Sequence, residues 1–193
     1  HPRVRRQRQM CIRDSLYGRK MLFQMLEILY PRRCAVCDEI EVTGKGICPL
    51  CKDKVHVAGE PACKKCGKPL VDERKEFCTD CGKKHHVYTQ GKAVFVYEGG
   101  IRNSMYRFKY GNKREYAEFY ANAAVEKYGV WLNKIKAEVL IPIPMYSRKK
   151  RLRGYNQAEV FARELGRKAG ILVDEHLVRR VRNTIPQKEL NES

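Results

Sequence analysis

Eight of the nine cysteines in this 193-residue chain fall into four Cys-x-x-Cys pairs within residues 34–81. Two intervening residues let the second sulfur turn back beside the first, so each pair offers two thiolates to one metal ion. Four cysteine ligands close a tetrahedral coordination sphere, which is the arrangement of a structural zinc site. The sequence therefore predicts two structural zinc ions. The eight predicted ligands are Cys34, Cys37, Cys48, Cys51, Cys63, Cys66, Cys78 and Cys81.

The pairs repeat at a nearly constant interval, with ten, eleven and eleven residues between them. The phrase Cys-Gly-Lys follows twice, at Cys66 and at Cys81, which indicates a duplicated module. Sequential pairing of the first four and the last four cysteines closes the shortest loops and is therefore favoured. An interleaved arrangement, with alternate pairs sharing an ion, stays open as the alternative.

Disulfide bonds and a redox-active pair are the two alternatives to metal binding for these cysteines. Disulfides are typical of secreted proteins, but the short apolar run near the start is interrupted at Glu27 and does not have the pattern of an export signal. A redox-active Cys-x-x-Cys normally occurs once, beside a βαβ unit. Zinc in a reducing cytosol is thus the favoured interpretation, and we expect metal binding to supply most of the folding free energy of this segment.

The formal net charge of +18 is concentrated in a few places. Residues 34–83 carry nine basic and nine acidic side chains. The excess lies in residues 1–20, 102–114 and 148–153, with seven, five and five basic residues against one, none and none acidic. Such clusters favour phosphate-bearing ligands or nucleic acid, although a solvated basic surface is an alternative for the middle cluster. The sequence contains no run of 18 apolar residues, so it does not predict a membrane-spanning helix.

The chain is predicted to begin with a non-native, disordered leader over residues 1–20, because this stretch resembles a translated sequencing adapter and opens on His1. If it is native, it is a basic arm with an unpaired Cys11. Residues 21–33 have apolar side chains at helical spacing and predict a short amphipathic helix that ends near Pro31. Docking on the following domain is favoured over adhesion to a membrane. The double zinc ribbon is predicted over residues 34–83.

Beyond the cysteines, His85 and His86 are expected to be exposed linker residues rather than zinc ligands. Residues 93–97 are β-branched and aromatic and predict a strand. Helices are predicted over residues 101–108 and 114–128. Between them, basic and aromatic side chains alternate, and this pattern fits either base stacking or a core edge with solvated lysines. The candidate nucleic-acid ligands are Arg107, Lys109, Tyr110 and, further along, Lys150.

Residues 139–141 form an apolar run typical of a buried parallel strand, and a helix is predicted from about Ala158 to a C-terminal cap at Gly170. A basic loop joins them, and a second strand is predicted over residues 177–181. A strand, a basic loop and a helix in this order can bind an anion. The candidate phosphate or diphosphate ligands are Ser147, Arg148, Lys149, Arg151, Arg153, Gly154, Asn156 and Gln157, with helix capping as the alternative role for the last two.

Taken in order, these features resemble the ComF (ComF/GntX) family, whose members join a double zinc ribbon to a type I phosphoribosyltransferase-like domain. The resemblance rests on the segment before Cys34, the Cys-x-x-Cys series, residues 108–110, the Ile-Pro-Ile-Pro of residues 141–144 and the Arg-Gly-Tyr-Asn-Gln of residues 153–157. Residues 180–187 also fit. It implies an α/β fold, with residues 84–193 as the N-terminal part of an incomplete Rossmann-like parallel sheet with helices.

The resemblance also implies a function in natural competence, acting in the cytoplasm on incoming single-stranded DNA beside a helicase partner. It implies a site for 5-phosphoribosyl 1-diphosphate with Mg²⁺, whose pyrophosphate loop would be residues 144–153. Type I phosphoribosyltransferases carry a later motif of two acidic residues and a Thr/Gly-rich loop, which this sequence lacks. We therefore expect the chain to be C-terminally truncated and not to catalyse transfer.

Three functions follow as hypotheses. The favoured one is a DNA-uptake accessory that binds single-stranded DNA and uses the phosphosugar site for binding. The second is a phosphoribosyltransferase of nucleotide salvage. The third is a zinc-ribbon adaptor that binds only protein partners.

Overall fold

A computed structural model describes residues 29–184 of the chain. The predicted leader, Cys11 and most of the predicted helix over residues 21–33 lie outside this range. The described elements are α1 (Pro49–Lys52), α2 (Thr79–Lys83), α3 (Gly99–Tyr110), α4 (Tyr116–Lys134), β1 (Val139–Leu140), α5 (Ser147–Arg153), α6 (Gln157–Ala169) and β2 (Leu172–Val173).

The zinc-ribbon segment consists of two copies of one small unit. Each begins with a tight turn flanked by a single antiparallel bridge, Arg33 with Ile40 in the first copy and Ala62 with Pro69 in the second. Each then supplies its second Cys-x-x-Cys pair from a short helix, α1 or α2, which begins one residue after a cysteine. The duplication predicted from the sequence is therefore confirmed in three dimensions.

The main core lies where the first unit meets α3 and α4. Ala35 of the first turn is 1% exposed and packs in one cluster with Ile101 and Phe108 of α3 and Tyr116 and Tyr120 of α4. The rings of Phe108 and Tyr120 lie 5.6 Å apart, and the hydroxyl groups of Tyr120 and Ser104 are 2.6 Å apart. The first zinc-ribbon unit thus contributes side chains to the same hydrophobic core as the helices.

The strand predicted over residues 93–97 is not formed; its only regular pairing within residues 29–184 is a bridge between Phe95 and Val57. Backbone hydrogen bonds run from Ala58 N to Val94 O at 2.9 Å and from Val96 N to His56 O at 2.9 Å. Among the described residues, the ladder does not extend beyond this bridge. The apolar side chains of this run serve the core instead, where the rings of Phe95 and Phe119 stack at 5.4 Å.

β1 and β2 form a two-stranded parallel sheet in which Val139 aligns with Leu172 and Leu140 with Val173. The predicted first strand is confirmed, as is a parallel connection through a helix, but the strand is not buried as predicted: Val139 is 38% exposed and Ile141, directly after β1, is 43% exposed. The second strand was predicted over residues 177–181, which is wrong. Asp174 ends β2 instead, because its carboxylate accepts hydrogen bonds from the backbone N–H groups of His176 and Leu177 at 2.8 and 2.9 Å.

The connection between the strands contains two helices rather than a loop and one helix. α5 occupies residues predicted to be an extended basic loop, and Gly154 ends it in a left-handed conformation with φ of 83°. α6 follows almost at once and ends at Gly170, as the sequence predicts. It packs against α4, which begins at Tyr116 and continues to Lys134, beyond the predicted end at residue 128.

Gly166 sets the distance between α6 and the sheet. A β-carbon at this position would lie 2.5 Å from Val173 Cγ2 and 2.7 Å from the carbonyl oxygen of Ile171. We expect Gly166→Ala to lower the free energy of unfolding by about 2 kcal/mol through overpacking. Gly129→Ala in α4 is the matched control, since its β-carbon would meet only Val125 at 3.6 Å and alanine has the higher helix propensity.

Chemical denaturation of both variants checks this expectation. Gly129→Ala should raise the free energy of unfolding by up to about 1 kcal/mol. A Gly166→Ala protein that is as stable as the Gly129→Ala protein would show that the helix and the sheet separate without cost.

Within residues 29–184, no helix is long and apolar enough to cross a membrane.

Candidate metal centres and basic cleft

The first candidate metal centre is formed by Cys34, Cys37, Cys48 and Cys51, whose sulfur atoms all lie within 4.8 Å of one another. The sulfurs of Cys37 and Cys48 are 3.7 Å apart. A tetrahedral zinc ion with Zn–S bonds of about 2.3 Å places its sulfur ligands about 3.8 Å apart. The four sulfurs therefore already have the spacing that zinc requires.

Cys63, Cys66, Cys78 and Cys81 form a second centre with the same geometry, in which the sulfurs of Cys66 and Cys78 are 3.7 Å apart. The grouping of the first four and the last four cysteines confirms sequential pairing over the interleaved alternative. All eight cysteines are free thiols in the structure, as metal binding requires. The predicted ligands are thus brought together as two four-cysteine sites, consistent with two structural zinc ions.

Each turn is built to hold its first thiolate. Burial raises the pKa of Cys34, but backbone hydrogen bonds, among them those from Val36 N and Cys48 N at 3.4 Å, outweigh it and lower the pKa to about 7. The same balance lowers the pKa of Cys63 to about 6. Burial and the neighbouring sulfurs raise the pKa of Cys51 and Cys81 to about 12. One thiolate forms readily at each site, and a bound dication would stabilise the thiolates of Cys51 and Cys81.

Asp38 connects the first metal centre to the helices. It follows the ligand Cys37, has a left-handed backbone with φ of 69°, and its Oδ1 accepts hydrogen bonds from Tyr116 Oη at 2.6 Å and Lys113 Nζ at 2.7 Å. Desolvation raises the pKa of Asp38, but these hydrogen bonds outweigh it and lower the pKa. Arg107 Nη1 also donates to the carbonyl oxygen of Val36 at 2.7 Å.

The second metal centre is joined to the rest of the chain through backbone contacts. Gly67 takes the place of Asp38 in this copy, with φ of 75°, and a β-carbon there would lie 2.7 Å from Ala93 N. Gly91 N donates to the carbonyl oxygen of Lys65 at 2.6 Å. Lys127 of α4 donates to the carbonyl oxygen of Ala93 at 3.1 Å, which ties this segment to the helices.

The two linker histidines lie outside both metal centres. His85 is exposed, and the ring of His86 stacks on that of Tyr88 with centroids 5.1 Å apart. Among the described residues, the candidate metal groups contain cysteines only. The expectation that these histidines are linker residues rather than ligands is therefore consistent with their positions.

A basic cleft of about 700 Å³ lies beyond the carboxyl ends of both strands. One wall comes from residues that follow β1, through α5 to Glu159 in the first turn of α6, and the other from residues that follow β2. The carboxyl edge of a parallel sheet is where α/β proteins bind their ligands. The lining residues are Pro144, Met145, Ser147, Lys150, Arg151, Gly154, Glu159, Glu175, His176, Val178, Arg179 and Arg180.

Four cationic side chains and two carboxylates line this cleft, which leaves a net charge of 4 − 2 = +2 with histidine neutral. Both carboxylates are held by cations: Glu159 by Lys150 at 2.6 Å, and Glu175 by Arg163, whose Nη2 lies 2.6 Å from Oε2. The hydrogen bonds from Arg163 outweigh desolvation and lower the pKa of Glu175. The cleft therefore suits an anionic ligand, with its positive excess carried by arginine.

The predicted phosphate ligands separate into three groups. Ser147, Arg151 and Gly154 line the cleft, whereas Arg148 and Lys149 lie on the exposed side of α5. The others are engaged within the protein. Asn156 is 2% exposed and caps α6 by accepting from Ala158 N at 3.1 Å, and Gln157 Oε1 accepts from Arg153 Nη1 at 2.7 Å. For Asn156 the capping alternative is the role that the structure supports.

The predicted nucleic-acid ligands also differ in their surroundings. The guanidinium of Arg107 is partly buried against the first zinc-ribbon turn, and Lys150 is paired with Glu159 at the cleft. Tyr110 is 62% exposed and carries the guanidinium of Arg153 at 4.7 Å from its ring centre. Lys109 is partly exposed.

Arg179 and Arg180 line the cleft but were not among the predicted ligands. Their position at the cleft depends on where β2 ends. Because the second strand was predicted over residues 177–181, both arginines were assigned to that strand or its end and not to the segment after it. The signal that was present is the resemblance of residues 180–187 to a segment of the ComF family, together with the rule that successive parallel strands end at the same edge.

Comparison with known proteins supports the metal-binding segment of the chain. No curated protein and no solved structure gives a significant match to the sequence or the fold. The family model described as "Double zinc ribbon domain" matches residues 25–82, a range that contains all eight metal-site cysteines. Together with the two four-cysteine sites, this match identifies residues 25–82 as a double zinc ribbon domain.

Proposed function

We propose that the protein is a zinc-ribbon accessory of DNA uptake that binds single-stranded DNA in the cytoplasm, as its resemblance to the ComF family implies. The observation that carries this proposal is the basic cleft beyond the carboxyl ends of β1 and β2. A cleft of net positive charge favours a ligand with phosphate groups. The double zinc ribbon provides the rigid support for the helices on which that cleft depends. A helicase is the partner proposed by the same resemblance.

Phosphate binding to this cleft has a defined electrostatic signature. Each phosphate that a cation neutralises releases counterions, so the affinity for single-stranded nucleic acid falls with salt with a logarithmic slope of about −0.7 per contact. Arg151 and Arg179 stand on opposite walls of the cleft and are the side chains to neutralise. Neither holds a cleft carboxylate, because Lys150 and Arg163 have that role.

The test is a fluorescence-anisotropy titration of the zinc-loaded chain with a labelled oligothymidylate at several salt concentrations. We expect the double variant Arg151→Gln/Arg179→Gln to bind about tenfold more weakly near 0.1 M salt and to lose about 1.4 from the slope. The matched control is Lys134→Gln/Arg167→Gln, which removes the same charge from exposed positions outside the cleft lining. Equal losses in the two double variants, or no binding by the wild type, would contradict the proposal.

The same cleft favours a second candidate, a phosphosugar site of the phosphoribosyltransferase type. Its location at the edge of a parallel sheet is the observation in favour. Here 5-phosphoribosyl 1-diphosphate with Mg²⁺ would occupy the place proposed for DNA phosphates. If this candidate is right, the phosphosugar competes with oligothymidylate in the titration, and release of pyrophosphate with a nucleobase acceptor would further indicate transfer. No competition and no release would exclude it.

A further inference from the structure

A row of exposed aromatic and basic side chains runs along α3, outside the cleft. Arg102, Tyr106 and Tyr110 are spaced four residues apart and share one helix face. Tyr106 and Tyr110 are 65% and 62% exposed, and Tyr97, just before the helix, is 57% exposed. α3 contains no acidic residue, and Glu98 at its start is paired with His56 at 2.7 Å.

The aromatic rings of this row are held in place by each other and by one cation. The ring centres of Tyr106 and Tyr110 lie 5.0 Å apart, and the guanidinium of Arg153 lies 4.7 Å from the centre of Tyr110. Arg153 is fixed in turn by its hydrogen bond to Gln157 at 2.7 Å. Tyr110 therefore contacts both Tyr106 and Arg153, and Tyr106 is the ring of this pair that borders the groove.

Beyond Tyr106 the surface opens into a groove of about 560 Å³, lined by Tyr97, Gly99, Arg102, Asn103 and Tyr106. Tyr97 and Tyr106 supply two aromatic rings to the lining of the groove. The guanidinium of Arg102 can pair with a phosphate, and the amide of Asn103 can form hydrogen bonds with the edge of a base. Flat π-systems combined with arginine are the means by which proteins hold unpaired bases without strict sequence preference. A base in a duplex is already stacked and cannot enter.

We propose that the groove between Tyr97 and Tyr106 binds an unpaired base of single-stranded DNA, with Arg102 contacting the adjoining phosphate. The inference rests on the proposed function and extends it to a second contact site. Arg153 ends α5, whose residues line the cleft, and its guanidinium contacts Tyr110, which in turn contacts Tyr106 of the groove, so a series of side-chain contacts connects the two sites. The inference places the phosphates of the strand in the cleft and one of its bases in the groove. Arg153 is a positioning residue for Tyr110.

The experiment compares two labelled oligonucleotides of equal length, oligothymidylate and an abasic strand with the same phosphates, on the full zinc-loaded chain. We expect the wild type to bind the abasic strand about tenfold more weakly, which is the effect of one stacked base. Tyr106→Ser should lower the affinity for oligothymidylate about tenfold and leave the salt slope and the abasic affinity unchanged. Tyr106→Phe keeps the π-face and should bind as the wild type does.

Tyr88→Ser is the matched control, because Tyr88 is also an exposed tyrosine beside another aromatic ring, that of His86 at 5.1 Å, but belongs to the segment after the second metal centre. An equal loss in Tyr88→Ser and Tyr106→Ser would overturn the assignment to the groove. Equal binding of both strands by the wild type would overturn the base site alone and leave the cleft proposal standing. A wild type that binds neither strand would instead refute the proposed function and this inference together.

Discussion

Replacing Cys34 by serine is expected to reduce the zinc content from two ions to one and to unfold the helical core along with the first metal centre. Cys34 is fully buried, and the next two residues, Ala35 and Val36, are 1% and 6% exposed within the same packed region. Structural zinc contributes about 10 to 16 kcal/mol of apparent binding free energy, whereas a whole domain is stable by only about 5 to 15 kcal/mol. The free energy lost with one zinc ion at this site is therefore expected to exceed the stability that the packing of the helices can provide.

The matched variant is Cys81→Ser in the second metal centre. It also removes one zinc ligand, but Cys81 is only partly buried and is not part of the described core clusters. We expect this variant to lose one zinc ion and to keep the thermal transition of α3, α4 and α6. Zinc content from a colorimetric chelator assay and helicity from circular dichroism measure both. If Cys34→Ser melts like Cys81→Ser, the first zinc-ribbon unit is not part of the core.

Gly67→Ala should cost about 3 kcal/mol of unfolding free energy and release zinc from the second metal centre. Two separate effects add at this position. The backbone φ of 75° is costly for any residue with a β-carbon, and that carbon would meet backbone atoms of residues 91–93, Ala93 N at 2.7 Å and Lys92 Cα at 3.0 Å. Because these are backbone atoms, a change of rotamer cannot relieve the contact.

Gly44 separates the two effects, since its φ is 72° and a β-carbon there has no described atom within 4 Å. We expect Gly44→Ala to cost only the conformational strain, about 1 kcal/mol. Denaturation curves give the two free energies, and competition with a chelator gives the rate of zinc release from each variant. Equal costs for Gly44→Ala and Gly67→Ala would mean that the segment over residues 91–93 moves away freely from the second turn.

The double zinc ribbon was predictable because its determinants are local. A Cys-x-x-Cys spacing fixes which sulfurs can share an ion, and the shortest closed loops correspond to the grouping that the structure has. α6 was predictable for the same reason, since its capping residues Asn156 and Gly170 act on the backbone next to them.

Elements whose limits depend on distant partners were predicted less well. The apolar run over residues 93–97 had the composition of a strand, but among the described residues it has one bridging partner, Val57, and it contributes side chains to the core instead. The residues after β1 were expected to form an open loop, and they form α5. β2 ends at the turn that the Asp174 side chain forms with the backbone of His176 and Leu177, so the observed second strand lies earlier in the chain than the predicted one.

The sequence by itself determined the metal chemistry of this protein, because the cysteine ligands of each zinc lie within a short stretch of chain. Only the tertiary structure decided what those metal centres support and where ligands can approach. Asp38 and Tyr116 are 78 residues apart, and Arg151 in α5 and Arg179 in the segment after β2 line the same cleft. Such contacts form only when helices and strands pack against one another, and the spacing of residues along the chain does not predict them.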